Sequence, residues 1–384
     1  MRLNTRAGLG ALALALTVTA TACGNTDDET GVDAGACEGN IGVMGALSGA
    51  NASIVLPSVQ GAELALKEWS EENTDCDIKI VKFDTEGDPA KATPVATKMA
   101  GDDTFLGVIG GAFSGETRAT KSIFGDAELT MISQSATATD LTQEAPSPVF
   151  HRVVGYDDIQ GAAIAKYLSD VVGAKKVFVI DNSDAYGEPL AAKVSEELGD
   201  LVVGDDKTQV AQTDFSPTIS KIEAADPDAI MYGGYIAEAA PLLKQIRDAG
   251  IGDDVPFIGG DGLYGNDFGV AAGDSGEGAI ITCPCVPIED GSPFKESFLA
   301  ENDEEPGAYA AEGYDAMNIF LDVIADGART RTEIEEAVDN YNGEGITKQL
   351  AFDDNGDIAV ENVVIWAYKV EGGKLVPDQE ISLS

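Results

Sequence analysis

Residues 105–133 read FLGVIGGAFSGETRATKSIFGDAELTMIS. FLGVIGG (105–111) is a short apolar run closed by glycines, a helical stretch near 115–125 follows, and LTMIS (129–133) is a second short apolar run. Continuous apolar runs of this length, separated by a helix-length polar segment, mark strands buried on both faces of a parallel sheet. The rhythm extends in both directions. Upstream, IGVMGAL (41–47) leads to a helix from about Pro57 to Glu72, with Ala62, Leu64, Ala65, Leu66 and Trp69 on its apolar face. IKIVKF (78–83) then leads to a helical stretch near 89–100, interrupted or restarted at Pro94. Downstream, KVFVID (176–181), LVVGDD (201–206) and DAIMYGG (228–234) each precede a helical stretch, near 187–198, 215–225 and 237–249. PFIGGD (256–261) and GAIITC (278–283) complete the series. Residues 292–340 read as mostly helical and 346–376 as a hairpin-rich tail. The series breaks near 150–157 into two halves that share rhythm but not sequence. The expected fold is α/β, with two parallel sheets wound on both faces by helices.

At 384 residues the chain has room for two to three domains of roughly 150 residues. Apolar residues make up 44% of it, enough for a large core. The formal net charge of −43 excludes an electrostatic footprint for phosphate backbones, and with it a nucleic-acid role. The same excess argues against docking on anionic lipid through a basic patch. A single histidine, His151, leaves little room for His-rich metal sites.

The N-terminus carries Arg2 and Arg6, then an apolar stretch from Ala7 to Ala20 that is short for a membrane span. Residues 1–22 read as a signal peptide. Ala20-Thr21-Ala22-Cys23 fits an ordinary A-x-A cleavage site and also a lipobox, in which Cys23 becomes the acylated first residue. Residues 23–37 then form a flexible acidic tether. Lipidation of Cys23 leaves Cys37, Cys76, Cys283 and Cys285, an even number suited to an oxidising compartment. Cys37 and Cys76 stand at the starts of two expected neighbouring strands, where a bridge could form. Cys283-Pro284-Cys285 could close a tight ring or serve as a redox or soft-metal site. The structural bridge is favoured, because no His or further Cys lies nearby in sequence.

Two apparent motifs are set aside. Gly273-Asp274-Ser275-Gly276 spells a serine-protease signature, but His151 lacks the matching context and the chain is not all-β. Asp353-Asp354-Asn355-Gly356-Asp357 lacks the sixth-position glycine and closing glutamate of a calcium loop, and reads as a hairpin turn. No base–nucleophile pair survives, so an enzyme is the least favoured class, and no cofactor is implied.

In open parallel sheets the ligand crevice lies at the carboxyl ends of the strands. Ser114 follows FLGVIGGAF and opens a helix, whose free N–H groups favour an anion. Ser135-Ala136-Thr137 follows LTMIS, Tyr186 follows KVFVID, Tyr235 follows DAIMYGG, and Asp261 follows PFIGG. Each alone is explained by capping or packing. Together they offer anion donors from one half and a carboxylate with aromatic walls from the other. That set suits a small zwitterion with an apolar tail.

The chain resembles the solute-binding lipoproteins of branched-chain amino acid ABC transporters, the leucine/isoleucine/valine type of type I periplasmic binding protein, over about residues 38–370. The resemblance rests on GALSG (45–49), QGAELA (60–65), VIGGAFSGETRA (108–119), MISQSATATDLT (131–142), FHRVVGYDDIQG (150–161), AYGEPLA (185–191), MYGGYIAEAAPLLKQIRDAG (231–250), FIGGDG (257–262) and EGYDAM (312–317), in matching order and spacing. It implies that Ser114 and Thr137 bind a ligand α-carboxylate. The Ser135 carbonyl and Asp261 would hold an α-ammonium, with Asp261 standing where relatives often have Glu. Tyr186, Tyr235 and Tyr309 would form aromatic walls. Ile54 falls where relatives often carry a tyrosine, and Phe113 precedes Ser114. Both departures make the side-chain pocket more apolar or reshape it.

The resemblance further implies two lobes joined by a three-crossover hinge: 38–154 with 284–349, and 155–283 with 350–384. The implied function is capture of a branched-chain or other apolar amino acid for an ABC importer. A permease and ATPase would be the partners, and the protein a monomer anchored by lipid to the outer face of the cell membrane, or periplasmic. The alternatives are an amide, urea or aromatic-acid ligand in the same fold, or a ligand-sensing receptor component.

Overall fold

A computed structural model describes residues 37–383 apart from 145 and 253. The expected signal peptide, Cys23 and the tether up to residue 36 lie outside the described residues.

The first half contributes β1 (Glu38–Gly45), α1 (Ala52–Glu72), β2 (Asp77–Asp84), α2 (Pro89–Ala100), β3 (Phe105–Ile109), α3 (Ser114–Asp126), β4 (Met131–Ser133) and β5 (Phe150–Arg152). Its five strands are all parallel, in the order β2-β1-β3-β4-β5. All five residues of β3 are buried, which accounts for the unbroken apolar run in its sequence.

The chain then crosses to a second sheet. It runs through α4 (Asp157–Lys166), β6 (Val177–Asp181), α5 (Gly187–Leu198), β7 (Val202–Lys207), α6 (Ser216–Ala225), β8 (Ala229–Gly233), α7 (Ile236–Asp248), β9 (Phe257–Gly259), α8 (Asn266–Ala272) and β10 (Ile280–Cys283). It returns to the first sheet as α9 (Pro293–Asn302), α10 (Ala310–Ala325) and α11 (Arg331–Asp339), which pack on α1 and β3. A small hairpin, β11 (Asn342–Glu344) and β12 (Gln349–Ala351), precedes the last crossing to β13 (Trp366–Glu371) and β14 (Lys374–Glu380). The second sheet has the order β14-β13-β10-β9-β8-β6-β7, with β13 antiparallel to both of its neighbours, β10 and β14. Its parallel part repeats the order of the first sheet, so the molecule has two doubly wound lobes joined by three crossovers.

Two helix positions differ from expectation. Helix α1 begins at Ala52, five residues before Pro57, whose ring packs near Gly307. Helix α2 runs unbroken through Pro94, because Pro94 and Ala90 are exposed and water can satisfy the carbonyl that loses its partner.

Helices α1 and α10 lie in close contact. A Cβ on Gly61 would sit 1.9 Å from the Ala310 carbonyl oxygen, and one on Gly313 would sit 2.0 Å from that of Ser58. These two glycines let the helix backbones touch and bring the start of α10, with Tyr309, beside Ile54.

Disulfides join Cys37 to Cys76 at the starts of β1 and β2, and Cys283 to Cys285 where β10 leaves the second sheet. Residues 273–276 form a polar turn ahead of β10, and 353–357 form a hairpin turn closed by the pairing of Phe352 with Ile358. His151 is buried, its Nε2 2.8 Å from Asp339 Oδ1. The outer strands are guarded: β2 carries Asp77, Lys79, Lys82 and Asp84, β7 carries Asp205, Asp206 and Lys207, and β14 carries Lys374, Pro377, Asp378 and Glu380.

Candidate functional site

The strand ends of both sheets meet across a cleft. Eight of the nine residues singled out in the sequence line one pocket there: Ile54, Phe113, Ser114, Ser135, Tyr186, Tyr235, Asp261 and Tyr309. The ninth, Thr137, lies two residues beyond Ser135. Its hydroxyl is buried and has no hydrogen-bond partner.

On the first lobe, Phe113 stands in extended conformation just before α3, and its N–H donates to Glu116 Oε2 at 3.2 Å. Thr85, at the end of β2, donates its hydroxyl to the same carboxylate. Burial pushes the Glu116 carboxyl up to about 7, against those hydrogen bonds. This contact fixes the turn that presents Ser114, at the first position of α3, where a helix start carries orphan N–H donors. The Ser114 Oγ accepts from the Ala138 N–H at 3.2 Å, linking the loops after β3 and β4. Ser135 donates to the Ala112 carbonyl at 2.8 Å, a second such link.

On the second lobe, Asp261 follows β9 and is 4% exposed. Tyr186 donates its hydroxyl to Asp261 Oδ1 at 2.7 Å and accepts from the Gly262 N–H at 3.0 Å. Tyr309, on the first lobe, donates to Asp261 Oδ2 and so bridges the cleft. It is held left-handed at φ 56, an unusual conformation for a bulky residue, as the chain turns into α10. Tyr186 and Tyr235 stack with centroids 5.3 Å apart, and Phe113 meets Tyr235 edge-on at 5.2 Å across the lobes. The tyrosine hydroxyls are pushed well above their ordinary range, first by burial and then by nearby carboxylates, so they are neutral donors.

The sequence reading missed Asp157 and Gln160, one turn apart at the start of α4. Asp157 is 1% exposed, and neither carboxylate oxygen has a hydrogen-bond partner. Burial, then the charge of Asp261, pushes its carboxyl well up. Burial also raises Asp261, opposed by hydrogen bonds from Tyr309, Tyr186 and Gln160. Gln160 donates to the Thr282 carbonyl at 3.1 Å, while its own Oε1 is unpartnered. The available signal was the segment YDDIQG (156–161), which places an acid and an amide on one helix face beside the cleft.

No lysine or arginine is among the residues lining this pocket. Its one lining carboxylate, the buried Asp261, therefore lacks a cationic partner within it, a costly state that a bound cation relieves. In this conformation the pocket volume is about 10 Å³, the room of roughly one water. A larger groove of about 690 Å³, bordered by Leu56, Gln60, Glu63, Asp267 and Glu304, also takes residues from both lobes but gathers no comparable buried polar set. Among the described residues, no helix is long and apolar enough to cross a membrane, and no three His, Cys, Asp or Glu side chains are placed to hold a metal ion.

Comparison with known proteins fits this geometry. The chain is 29% identical, over 73% of its length and 76% of the relative's, to the leucine-, isoleucine-, valine-, threonine- and alanine-binding protein of Pseudomonas aeruginosa. It is 28% identical to the Leu/Ile/Val-binding protein of Escherichia coli K12, over 83% of this chain and 87% of that one. Among solved structures it resembles the branched-chain amino acid transporter substrate-binding protein of Streptococcus pneumoniae in complex with isoleucine. There the TM-score is 0.80 at 27% identity, covering 89% of this chain and 100% of the other. A leucine-binding protein of Thermotoga maritima gives a TM-score of 0.82 at 25% identity, covering 90% and 99%. Residues 38–374 match the model of the family described as periplasmic binding protein, and the chain belongs to that family.

Proposed function

We propose that this chain is the extracytoplasmic binding component of an ABC importer, capturing an α-amino acid with an apolar side chain between its lobes. The observation that carries this reading is the buried Asp261 carboxylate, gripped by two tyrosine hydroxyls and without a cation in the pocket, opposite the neutral donors of Ser114 and Thr137. An α-ammonium supplies the missing charge to Asp261 and Asp157, assisted by the Ser135 carbonyl. An α-carboxylate takes the Ser114 and Thr137 hydroxyls and the N–H groups opening α3. The side chain lies against Ile54, Phe113, Tyr235 and Tyr309, walls that favour apolar groups.

In this reading the lobes are 38–154 with 284–349 and 155–283 with 350–384, closing like a hinge. The Tyr309–Asp261 bond, the Phe113–Tyr235 contact and a 3.2 Å bond from Arg118 to the Ala185 carbonyl all span the cleft and support a closed state. The function is binding without catalysis. A permease and ATPase receive the ligand, and a lipid on Cys23 holds the monomer at the outer face of the membrane.

The test is a thermal-shift screen of the purified chain against the twenty amino acids, simple amides and aromatic acids. A ligand at about 100 times its dissociation constant adds about 2.7 kcal/mol. We expect leucine, isoleucine, valine or alanine to raise the melting temperature. Asp261→Ala should abolish the response, since breaking a buried ion pair costs about 3–5 kcal/mol. Silence from every α-amino acid, with a response to an amide or acid, would leave the fold and overturn the ligand assignment.

A further inference from the structure

We propose that Arg152 is a positioning residue for the ligand, shaping segment 135–138 from behind and tying it to the last crossover through Asp357. The inference rests on the binding reading above and deepens it. Arg152 closes β5 and is fully buried, as is Asp357 at 1% exposure. Its Nη1 donates to the carbonyls of Ala136 at 3.1 Å and Ala138 at 2.9 Å, the two residues flanking Thr137. Its Nε donates to Asp357 Oδ1 at 2.5 Å and its Nη2 to Thr142 Oγ1 at 2.6 Å. The second oxygen of Asp357 accepts from Thr142 at 2.8 Å and Gln143 at 2.7 Å.

The guanidinium thus clamps both sides of a residue whose own hydroxyl is buried and unpartnered. Its planar fork is suited to this, because several donors are fixed in one plane by one side chain. A further contact to the loop, from the Asp157 N–H to the Thr137 carbonyl at 2.8 Å, joins it to the second buried carboxylate beside the site.

The acidic turn 353–357 is built to deliver Asp357. Asp353 Oδ1 accepts from the N–H groups of Asn355 at 2.8 Å and Asp357 at 3.1 Å, and the Arg152 N–H donates to the Gly356 carbonyl at 3.1 Å. A Cβ on Gly356 would lie 2.1 Å from the Phe150 carbonyl oxygen, so the turn rests directly on β5. Segment 353–357 belongs to the last crossover, which places a loop that contacts ligand and a hinge segment on one buried ion pair.

The experiment uses the full chain as Asp357→Asn and, as a milder change, Thr142→Val. Affinities for leucine, valine and alanine are measured calorimetrically where each variant is folded, together with amide hydrogen exchange. Segment 135–138 holds the parts common to all α-amino acids. Both variants should therefore weaken every probe that the native chain binds by the same factor, about tenfold. Exchange should accelerate at residues 134–139 and not in β1–β3. A lowered melting temperature with unchanged affinities and exchange would overturn the proposal, as would a loss that differs between side chains. If Asp357→Asn does not fold, Thr142→Val decides. If the native chain binds none of the probes, the amino-acid reading fails, and the exchange measurement still decides the positioning role.

Discussion

Asp157 is the residue whose environment most needs explaining. A buried carboxylate with neither oxygen in a well-formed hydrogen bond is expected to destabilise the ligand-free chain, because only the nearby Thr137 hydroxyl and the Arg152 charge offset its own. Its carboxyl is raised, so the folded state keeps a proton that the unfolded chain loses near pH 4. Stability from this group is present at low pH and lost as pH rises through the raised value. We expect Asp157→Asn to stabilise the free protein by about 1–3 kcal/mol, more at pH 8 than at pH 5, while weakening amino-acid binding. Melting curves with and without valine check both signs. A lower melting temperature at pH 8 in the free variant would contradict the account.

At the scale of elements, the start of α3 makes a similar prediction through Glu116. The unfolded side chain ionises near 4.5 and the folded one near 7, so its contribution is full below 4.5 and fades as pH rises through 7. Glu116→Gln removes that titration while keeping an acceptor for the Phe113 N–H. The variant should gain up to about 3 kcal/mol on the native chain between pH 5 and pH 8, read as a flatter melting temperature against pH. The elements themselves were largely legible in sequence, because buried parallel strands such as β3 and β8 are continuous apolar runs. The exceptions, Pro57 and Pro94, lie inside helices whose tertiary contact or solvent exposure overrides the local rule. The strand-end residues were legible for the same topological reason, since Ser114, Ser135, Tyr186, Tyr235 and Asp261 all follow parallel strands. Tyr309 follows none and was visible only through family resemblance. Asp157 was hidden by its place in the first turn of α4, where an acid is ordinary company for the helix dipole. Arg152 was hidden because its partners lie as far as 205 residues away.

Across the whole molecule, the two lobes repeat one sheet order and set their strand ends against each other. A site assembled from both can therefore exist only when they approach. The net charge of −43 gives such molecules a mutual repulsion at neutral pH. The guarded outer strands of both sheets add a local form of the same protection. On β7 and β14 most of that protection is carboxylate, with Asp205 and Asp206 on one and Asp378 and Glu380 on the other. The long-range repulsion is conditional: at the isoelectric point of ≈ 4.1 it vanishes and leaves the strand guards to act alone. Turbidity and an amyloid-dye signal followed from pH 7 down to 4 should rise steeply over the last unit. Lysine placed on β14 at Asp378 and Glu380 should delay that rise. An acid-rich surface thus makes the protein's solubility a function of the acidity around it, and strand-to-strand polymerisation the failure that waits where that acidity is highest.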